Sequence, residues 1–465
     1  QYGSAVSKEF CMSQLMNPMH ARLHENGDIH IHDMDFMNMG TLTCCQIDLE
    51  KLFNGGFSTG HGHLREPQDI ASYAALAAIA IQSDQNDQHG GQSIPAFDFY
   101  LAKGVAKTFR KEYRSNINRA LELFVSLDNN ADEAFAKVEE KTNTTAKLDM
   151  EPVFVEAIRE MLRNEYHLDD EKVELVVNFT YKESLKATKK KTYQAMEGFV
   201  HNLNTMHSRA GAQVPFSSIN FGTDTSSEGR MVSENLMLAQ EAGLGHGETP
   251  IFPILIFKVK EGINYNPEDP NYDLFKLAMR VSAKRLFPNF SFMDAPFNLQ
   301  YYKPGHPETE TTYMGCRTRV MGNINGPEIA TGRGNNSFTS INLPRLGIKH
   351  GIITNGEFNE AGFFNELDEL MEIVIQQLIE RLQIQAKKKV KNFPFLMGQG
   401  VWIGSENLGW EDTLEEMVKQ GTLTIGFIGL AECLKALIGE HHGESERAQQ
   451  LGLKIVRHMR EVCDE

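Results

Sequence analysis

Long helical patterns alternate along this chain with short, isolated apolar runs, and that alternation restricts the fold more than any other feature. Residues 67–83 open on a proline and continue alanine-rich, a strong helix signal whose small side chains permit close helix contact. Residues 192–210 and 366–389 read as further helices. Between them, residues 213–222 and 250–259 read as short buried strands, with Phe292 and residues 337–343 as further strand candidates. Residues 424–437 pass from an apolar, glycine-containing strand or turn into a helix. The pattern predicts an α/β architecture, a sheet or barrel covered by helices. The most charged stretch, residues 127–191, reads as an inserted helical layer, with Lys189, Lys190 and Lys191 on a wet helix face.

Bulk properties exclude several classes. A hydrophobic fraction of 41% over 465 residues supports a substantial core. No apolar run approaches the roughly 20 residues needed to span a bilayer, and no secretory signal is visible. Six cysteines beside 20 methionines, without CxxC spacing, point to a reducing, cytoplasmic setting. A formal charge of −16 argues against a nucleic-acid binder but not against small phosphorylated ligands. The chain begins at Gln1 and ends inside an amphipathic pattern (Leu451, Leu453, Ile455, Val456, Met459, Val462), as a piece of a longer protein would.

Two thiol segments carry candidate chemistry. Cys316 follows Gly315 in Tyr313-Met314-Gly315-Cys316-Arg317-Thr318, between arms rich in Gly and Asn that end in Gly332-Arg333-Gly334-Asn335-Asn336. Such arms cost backbone entropy, so a thiol there suggests a loop delivering a reactive group, against the alternative of a small buried hydrophobe. Leu42-Thr43-Cys44-Cys45-Gln46-Ile47-Asp48-Leu49 reads as a strand, and alternation lets only one of Cys44 and Cys45 face a given site. Ile29-His30-Ile31-His32-Asp33 predicts a strand with His30, His32 and Met34 on one face. The spacing to His61, His63 and His89 matches no standard zinc pattern, so no metal is expected. Ser208-Arg209-Ala210-Gly211-Ala212-Gln213 joins helix to strand with donors suited to an anion such as triphosphate, while neither a P-loop nor a GxGxxG is present.

Taken in order, these segments resemble the anaerobic (class III) ribonucleoside-triphosphate reductases, which are glycyl-radical enzymes. The matching pieces are His30-Ile31-His32-Asp33-Met34-Asp35, Thr43 to Leu49, Tyr193-Gln194-Ala195-Met196-Glu197-Gly198 and His207-Ser208-Arg209-Ala210-Gly211 through Asn220. Gly315-Cys316-Arg317, Ser340-Ile341-Asn342-Leu343-Pro344-Arg345, Gly426-Phe427-Ile428-Gly429-Leu430 and His441-His442-Gly443-Glu444-Ser445 complete the set.

The resemblance implies a ten-stranded α/β barrel of two antiparallel half-barrels, surrounded by helices, with a central finger loop at about 311–340. Residues 1–465 would form this catalytic unit, with a helical elaboration at 128–191. It assigns the thiyl to Cys316, the facing thiol to Cys44, and the orienting of formate or substrate to Asn335 or Asn336. Substrate contacts would involve His32, Ser208, Arg209, Gln213, Ser217 and Asn336. Specificity effectors at a dimer face would meet Asp84, Gln88 and Gln92. Met314 and Thr318 stand where aerobic relatives carry Asn and Glu, which favours formate as reductant. The family also has an ATP-cone and a C-terminal domain with the radical glycine and a zinc site. No matching segment occurs in this sequence, so the glycyl radical is expected from a segment this chain lacks, and zinc only there. Implied partners are ribonucleoside triphosphates, ATP and deoxynucleotide effectors, a radical-SAM [4Fe-4S] activating enzyme and a second copy of the chain, with neither nucleic acid nor membrane. The alternatives are a catalytically silent nucleotide-binding scaffold and a carbon-skeleton glycyl-radical lyase, which needs no second thiol.

Overall fold

A computed structural model of the chain describes residues 2–126, 131–209, 213–315 and 318–465. Its strands, in chain order, are β1 (Ile29–Ile31), β2 (Cys45–Gln46), β3 (Phe57–Ser58), β4 (His63–Leu64), β5 (Gln92–Ile94) and β6 (Ser217–Phe221). They continue as β7 (Ile254–Val259), β8 (Asn289–Phe292), β9 (Tyr313–Met314), β10 (Thr318–Arg319), β11 (Asn335–Asn342) and β12 (Thr422–Ile428). The larger sheet is wholly parallel, in the order β2-β5-β6-β7-β8. A second sheet has the order β1-β11-β12, antiparallel then parallel. The pairs β3–β4 and β9–β10 are separate ribbons.

Register divides the larger sheet into two unlike faces. Residues in register on parallel strands share a face, and alternate residues face opposite ways. Cys45, Gln92 and Ser217 line up on one face, together with Ile94, Ile219 and Phe221. This outer face joins the main hydrophobic core, under the helices Ile70–Asp84, Phe97–Val125, Asp170–Thr205 and Ser227–Ala242. The inner face carries Gln46, Ser93, Ser218 and Asn220 in their place. A sheet buried on both faces ordinarily reads as continuous apolar sequence; here one buried face is polar. The second sheet has its own core, in which Ile29, Ile31 and Ile341 pack with Leu367, Met371 and Val374 of the helix Glu360–Ala386.

The segment before and through β2 joins the two sheets. On one side Gly90 N–H donates to Thr43 O (2.6 Å) and Ile47 N–H to Ser93 O (2.7 Å). On the other, Thr43 N–H donates to Asn335 O (2.9 Å), Gln46 N–H to Arg333 O (2.9 Å) and Gly332 N–H to Gln46 O (2.8 Å). The sheets are thus continuous along one seam, while β8 and β12 are open edges. The α/β architecture is as expected, while the five parallel strands and three mixed ones do not close a ten-stranded ring among the described residues.

Two of the expected elements, a helix and a strand, differ in extent. The helix Ile70–Asp84 starts at a capping box, Asp69 accepting from Ser72 N–H and Ser72 answering. The helices Asp132–Thr142, Pro152–Asn164 and Asp170–Thr205 occupy the charged stretch and run past it, and Lys189, Lys190 and Lys191 are exposed. Residues 192–210 do not make a separate helix: no Gly or Pro interrupts residues 170–197, and the 36-residue helix Asp170–Thr205 runs through. The strand expected over 29–33 stops at Ile31, because Asp33 adopts φ +49° and turns the chain, leaving His30 exposed and Met34 buried. Among the described residues no helix is long and apolar enough to cross a membrane.

Candidate active site

The two adjacent cysteines face opposite ways. Cys45 belongs to the main core, whereas Cys44 packs with Met314 and Val320 in a small cluster of its own. Those two residues flank Cys316 in sequence; Cys316 and Arg317 themselves lie outside the described residues. Burial pushes the Cys44 thiol up to about 12, against hydrogen bonding from the Asn335 backbone, and pushes Cys45 well above its ordinary value. Cys44 is therefore an S–H group at neutral pH, fit to give a hydrogen atom and unfit as a thiolate nucleophile.

Glycines allow this close packing. A Cβ on Gly334 would overlap the Cys44 carbonyl oxygen, so the return arm reaches the thiol segment only through glycine. Gly315 takes φ +60°, and the space a Cβ would fill there is occupied by the ring of Phe216. The arms are not loose. Arg333, only 1% exposed, donates to Met321 O (2.8 Å), Ile329 O (2.8 Å), Gly322 O (2.9 Å) and Gln420 O (2.8 Å). Its guanidinium moulds residues 321–333 into a fixed turn. On the outgoing arm, Glu310 makes a buried ion pair with Lys258 and accepts from Thr223 (2.7 Å).

Asn335 and Asn336 leave β11 on opposite sides. Asn335 Nδ2 donates to Thr422 O (3.1 Å) and Thr424 Oγ1 (2.7 Å), while its carbonyl receives Thr43 and Cys44. Asn336 Nδ2 donates to Val418 O (2.6 Å), and its Oδ1 is buried without a partner. Asn335 is thus the one bonded directly to the Cys44 segment.

A second group gathers where β1 ends. His32 Nε2 lies 2.9 Å from Ser340 Oγ, with its ring stacked on Phe338 at 4.2 Å. Arg209 donates to Gln88 O (3.1 Å) and sits over the Phe36 ring at 5.4 Å. Arg381, which the sequence did not single out, donates to His32 O (2.7 Å) and Asp33 O (3.1 Å). Burial lowers both guanidiniums, Arg381 to about 10, and the Asp33 and Asp35 charges oppose it. Each keeps a buried Nε without a partner. His89, 3.9 Å from Asp33 and bonded to Thr41 (2.8 Å), is held neutral by burial and by these two cations. Ser208 bonds Gln85, and its N–H donates to Gln213 O (3.2 Å); residues 210–212 lie outside the described residues. Gln213 itself is exposed.

Other expected positions are not brought into this space. Ser217 and Gln92 face outward with Cys45, opposite the Cys44 side. Asp84, Gln88 and Gln92 are all buried, with both Asp84 oxygens and both polar atoms of the Gln88 side chain unpartnered. Burial holds the Asp84 carboxyl far above its usual range. Among the described residues no three His, Cys, Asp or Glu side chains converge as metal ligands.

A buried neutral thiol, a loop that returns to it and a separate cationic group at the end of β1 form the arrangement to be matched. The family model for anaerobic ribonucleoside-triphosphate reductase matches residues 1–465. The chain belongs to this family. It is 27% identical over 467 residues to the anaerobic ribonucleoside-triphosphate reductase of Escherichia coli (strain K12), covering 99% of this chain and 56% of that one. With the enzyme of Enterobacteria phage T4 it shares 28% over 429 residues, covering 91% and 60%. The chain thus spans little more than half the length of these curated relatives. In fold it is similar to the anaerobic ribonucleotide reductase of Thermotoga maritima solved with citrate in the active site: TM-score 0.55, 12% identity, 99% of this chain and 69% of that one. The same enzyme in complex with dATP and CTP gives a TM-score of 0.55 at 11% identity, covering 99% and 63%. For a member of the anaerobic ribonucleoside-triphosphate reductases, the residues that sequence reasoning missed are Ser93, Ser218, Asn220, Arg333 and Arg381. The alternation Ser218-Ile219-Asn220-Phe221 was a usable signal for two of them.

Proposed function

We propose that this chain is the greater part of the catalytic unit of a reductase that converts ribonucleoside triphosphates to 2′-deoxyribonucleoside triphosphates with thiyl-radical chemistry. The observation that carries the reading is the burial of Cys44, as a neutral thiol, against Met314 and Val320. In this reading a thiyl at Cys316 takes the 3′-hydrogen of the ribose, and the 2′-hydroxyl leaves as water after protonation. The Cys44 thiol gives a hydrogen atom to C2′, and formate gives its hydrogen atom to the resulting Cys44 thiyl. The carbon dioxide radical anion so formed passes one electron to the 3′-ketone, which takes up a proton, and Cys316 returns its hydrogen to C3′. The two electrons come from formate, which is oxidised to carbon dioxide. Atoms balance as ribonucleotide, formate and a proton giving deoxyribonucleotide, carbon dioxide and water. A glycyl radical, set up by a radical-SAM activating enzyme, would supply the initial hydrogen abstraction from Cys316.

Arg209 and Arg381 would meet the substrate's phosphates, since each has an unsatisfied buried N–H. Asn335, rather than Asn336 on the opposite side of β11, would orient formate or substrate beside Cys44, with His32 and Ser208 as further contacts. The seam between the sheets supports reading them as parts of one ten-stranded barrel, whose remaining strands would add at the open edges. Deoxynucleotide effectors fit the outside of the helix Ile70–Asp84 better than the enclosed Asp84, Gln88 and Gln92. There a groove of about 420 Å³ runs between that helix and Asp170–Thr205, lined by Asp69, Ala71, Lys111 and Lys191, at a face where a second copy would pack.

The test is Cys44→Ser in the full-length, activated protein with formate. Product should vanish while Cys316-dependent exchange of the 3′-hydrogen persists. Undiminished product would refute the assignment and favour a lyase with one essential thiol.

A further inference from the structure

Tyr313 and Gly315 are fixed to the inner sheet face by side chains, not by strand pairing. Among the described residues β9 pairs only with β10 and is no member of the larger sheet. Asn220, on β6, instead treats the Tyr313 peptide as a strand neighbour would. Its Oδ1 accepts from Tyr313 N–H (2.9 Å) and its Nδ2 donates to Tyr313 O (2.9 Å). The same Nδ2 is shared with Ser93 Oγ (3.1 Å) and Ile94 O (3.2 Å), which fixes the amide plane. Ser93 Oγ adds a bond to Tyr313 O (3.0 Å), and Ser218 Oγ accepts from Gly315 N–H (3.0 Å). All three side chains are fully buried. An interior amide and two hydroxyls are costly unless their partners are met, and here the partners are the N–H and C=O of Tyr313 and the N–H of Gly315, on either side of Met314. Met314 in turn lies on Cys44.

We infer that Asn220 is a positioning residue, which sets the loop against the Cys44 thiol by clamping the Tyr313 peptide, with Ser218 as a second point of attachment. Its consequence for catalysis rests on the reductase reading above; the clamp itself does not. The carboxamide is needed because only a group with acceptor and donor side by side can hold both the N–H and C=O of one residue.

The experiment uses the full-length protein, unactivated and anaerobic, with N-ethylmaleimide labelling of each cysteine followed by mass spectrometry. Asn220→Ala removes two bonds to Tyr313 and should raise Cys44 labelling about thirty-fold, and Ser218→Ala, which removes one, about five-fold. Cys45, on the core face, should stay unlabelled, which separates loop release from unfolding. In the activated protein Asn220→Ala should lower kcat by about 100-fold with KM for nucleotide unchanged and the glycyl-radical signal at wild-type intensity. Cys44 labelling equal to wild type, or Cys44 and Cys45 rising together, overturns the clamp. If Asn220→Ala does not fold, Ser218→Ala decides. If labelling follows the expected order but even the wild type reduces no nucleotide, the reductase reading fails and the clamp stands.

Discussion

Replacing Gly334 by alanine tests the seam on which the thiol site depends. A Cβ there would lie on the Cys44 carbonyl oxygen, 2.6 Å from its carbon and 3.0 Å from the Cys45 Cα, all of it backbone that no rotamer change can clear. The Cys44 segment must then retreat by roughly 1.5 Å to restore ordinary contact. That displacement stretches the bonds Thr43 N–H to Asn335 O and Gln46 N–H to Arg333 O, both now 2.9 Å, beyond useful length. Two net hydrogen bonds at about 1 kcal/mol each and an overpacking cost of about 1–3 kcal/mol oppose folding. The lower entropy of the unfolded alanine chain returns about 0.4–1 kcal/mol. The net loss should be about 2–4 kcal/mol in urea unfolding followed by circular dichroism. Gly245→Ala, with open space around it, serves as the control and should stay within about 0.5 kcal/mol of wild type. A Gly334→Ala variant as stable as that control would refute the described approach of the return arm to Cys44.

Removing one member of the buried Lys258–Glu310 pair by Glu310→Ala should cost about 3–5 kcal/mol, and adding Lys258→Met should recover most of it, as urea unfolding of the cycle will read. No recovery would mean that the unpaired Lys258 charge is not the source of the loss. Asp87, which accepts Phe395 and Leu396 N–H, is pushed by burial from 3.8 to about 6. Between those values the folded chain keeps a proton the unfolded chain has released. Stability is therefore full below pH 4 and should fall by about 2–3 kcal/mol as pH rises through 6. Asp87→Asn should flatten that slope in pH-resolved unfolding, and an unchanged slope would remove Asp87 as its source.

The helices and buried strands were legible because each is a local pattern. Asp69 with Ser72 marks a helix start, and the apolar run of β7 marks a strand. Closure of the sheets was not, since it depends on which distant edges pair. Alternation established that Cys44 and Cys45 diverge, and long-range packing decided that Cys44 meets the loop while Cys45 joins the core. Ser217, expected at the substrate, falls on the outer face because register between distant strands cannot be read from either alone. Arg333 and Arg381 escaped notice because their partners are backbone carbonyls, which leave no residue-type signature. The glycine-rich arms suggested freedom, yet their glycines serve close approach and a single guanidinium holds the return arm.

The two unlike faces of the larger sheet give its variants a rhythm. Along β6, changes at Ile219 or Phe221 hollow the core beneath the helices and should lower protein abundance. Changes at Ser218 or Asn220 remove polar contacts to the loop while leaving that core intact, so well-expressed, poorly active protein should result. In a deep mutational scan that scores abundance and activity separately, losses would swap from one score to the other at every step along the strand. A signal of period two, obtained without any structure, would then reveal which side of the sheet holds the fold together and which side holds the loop in place.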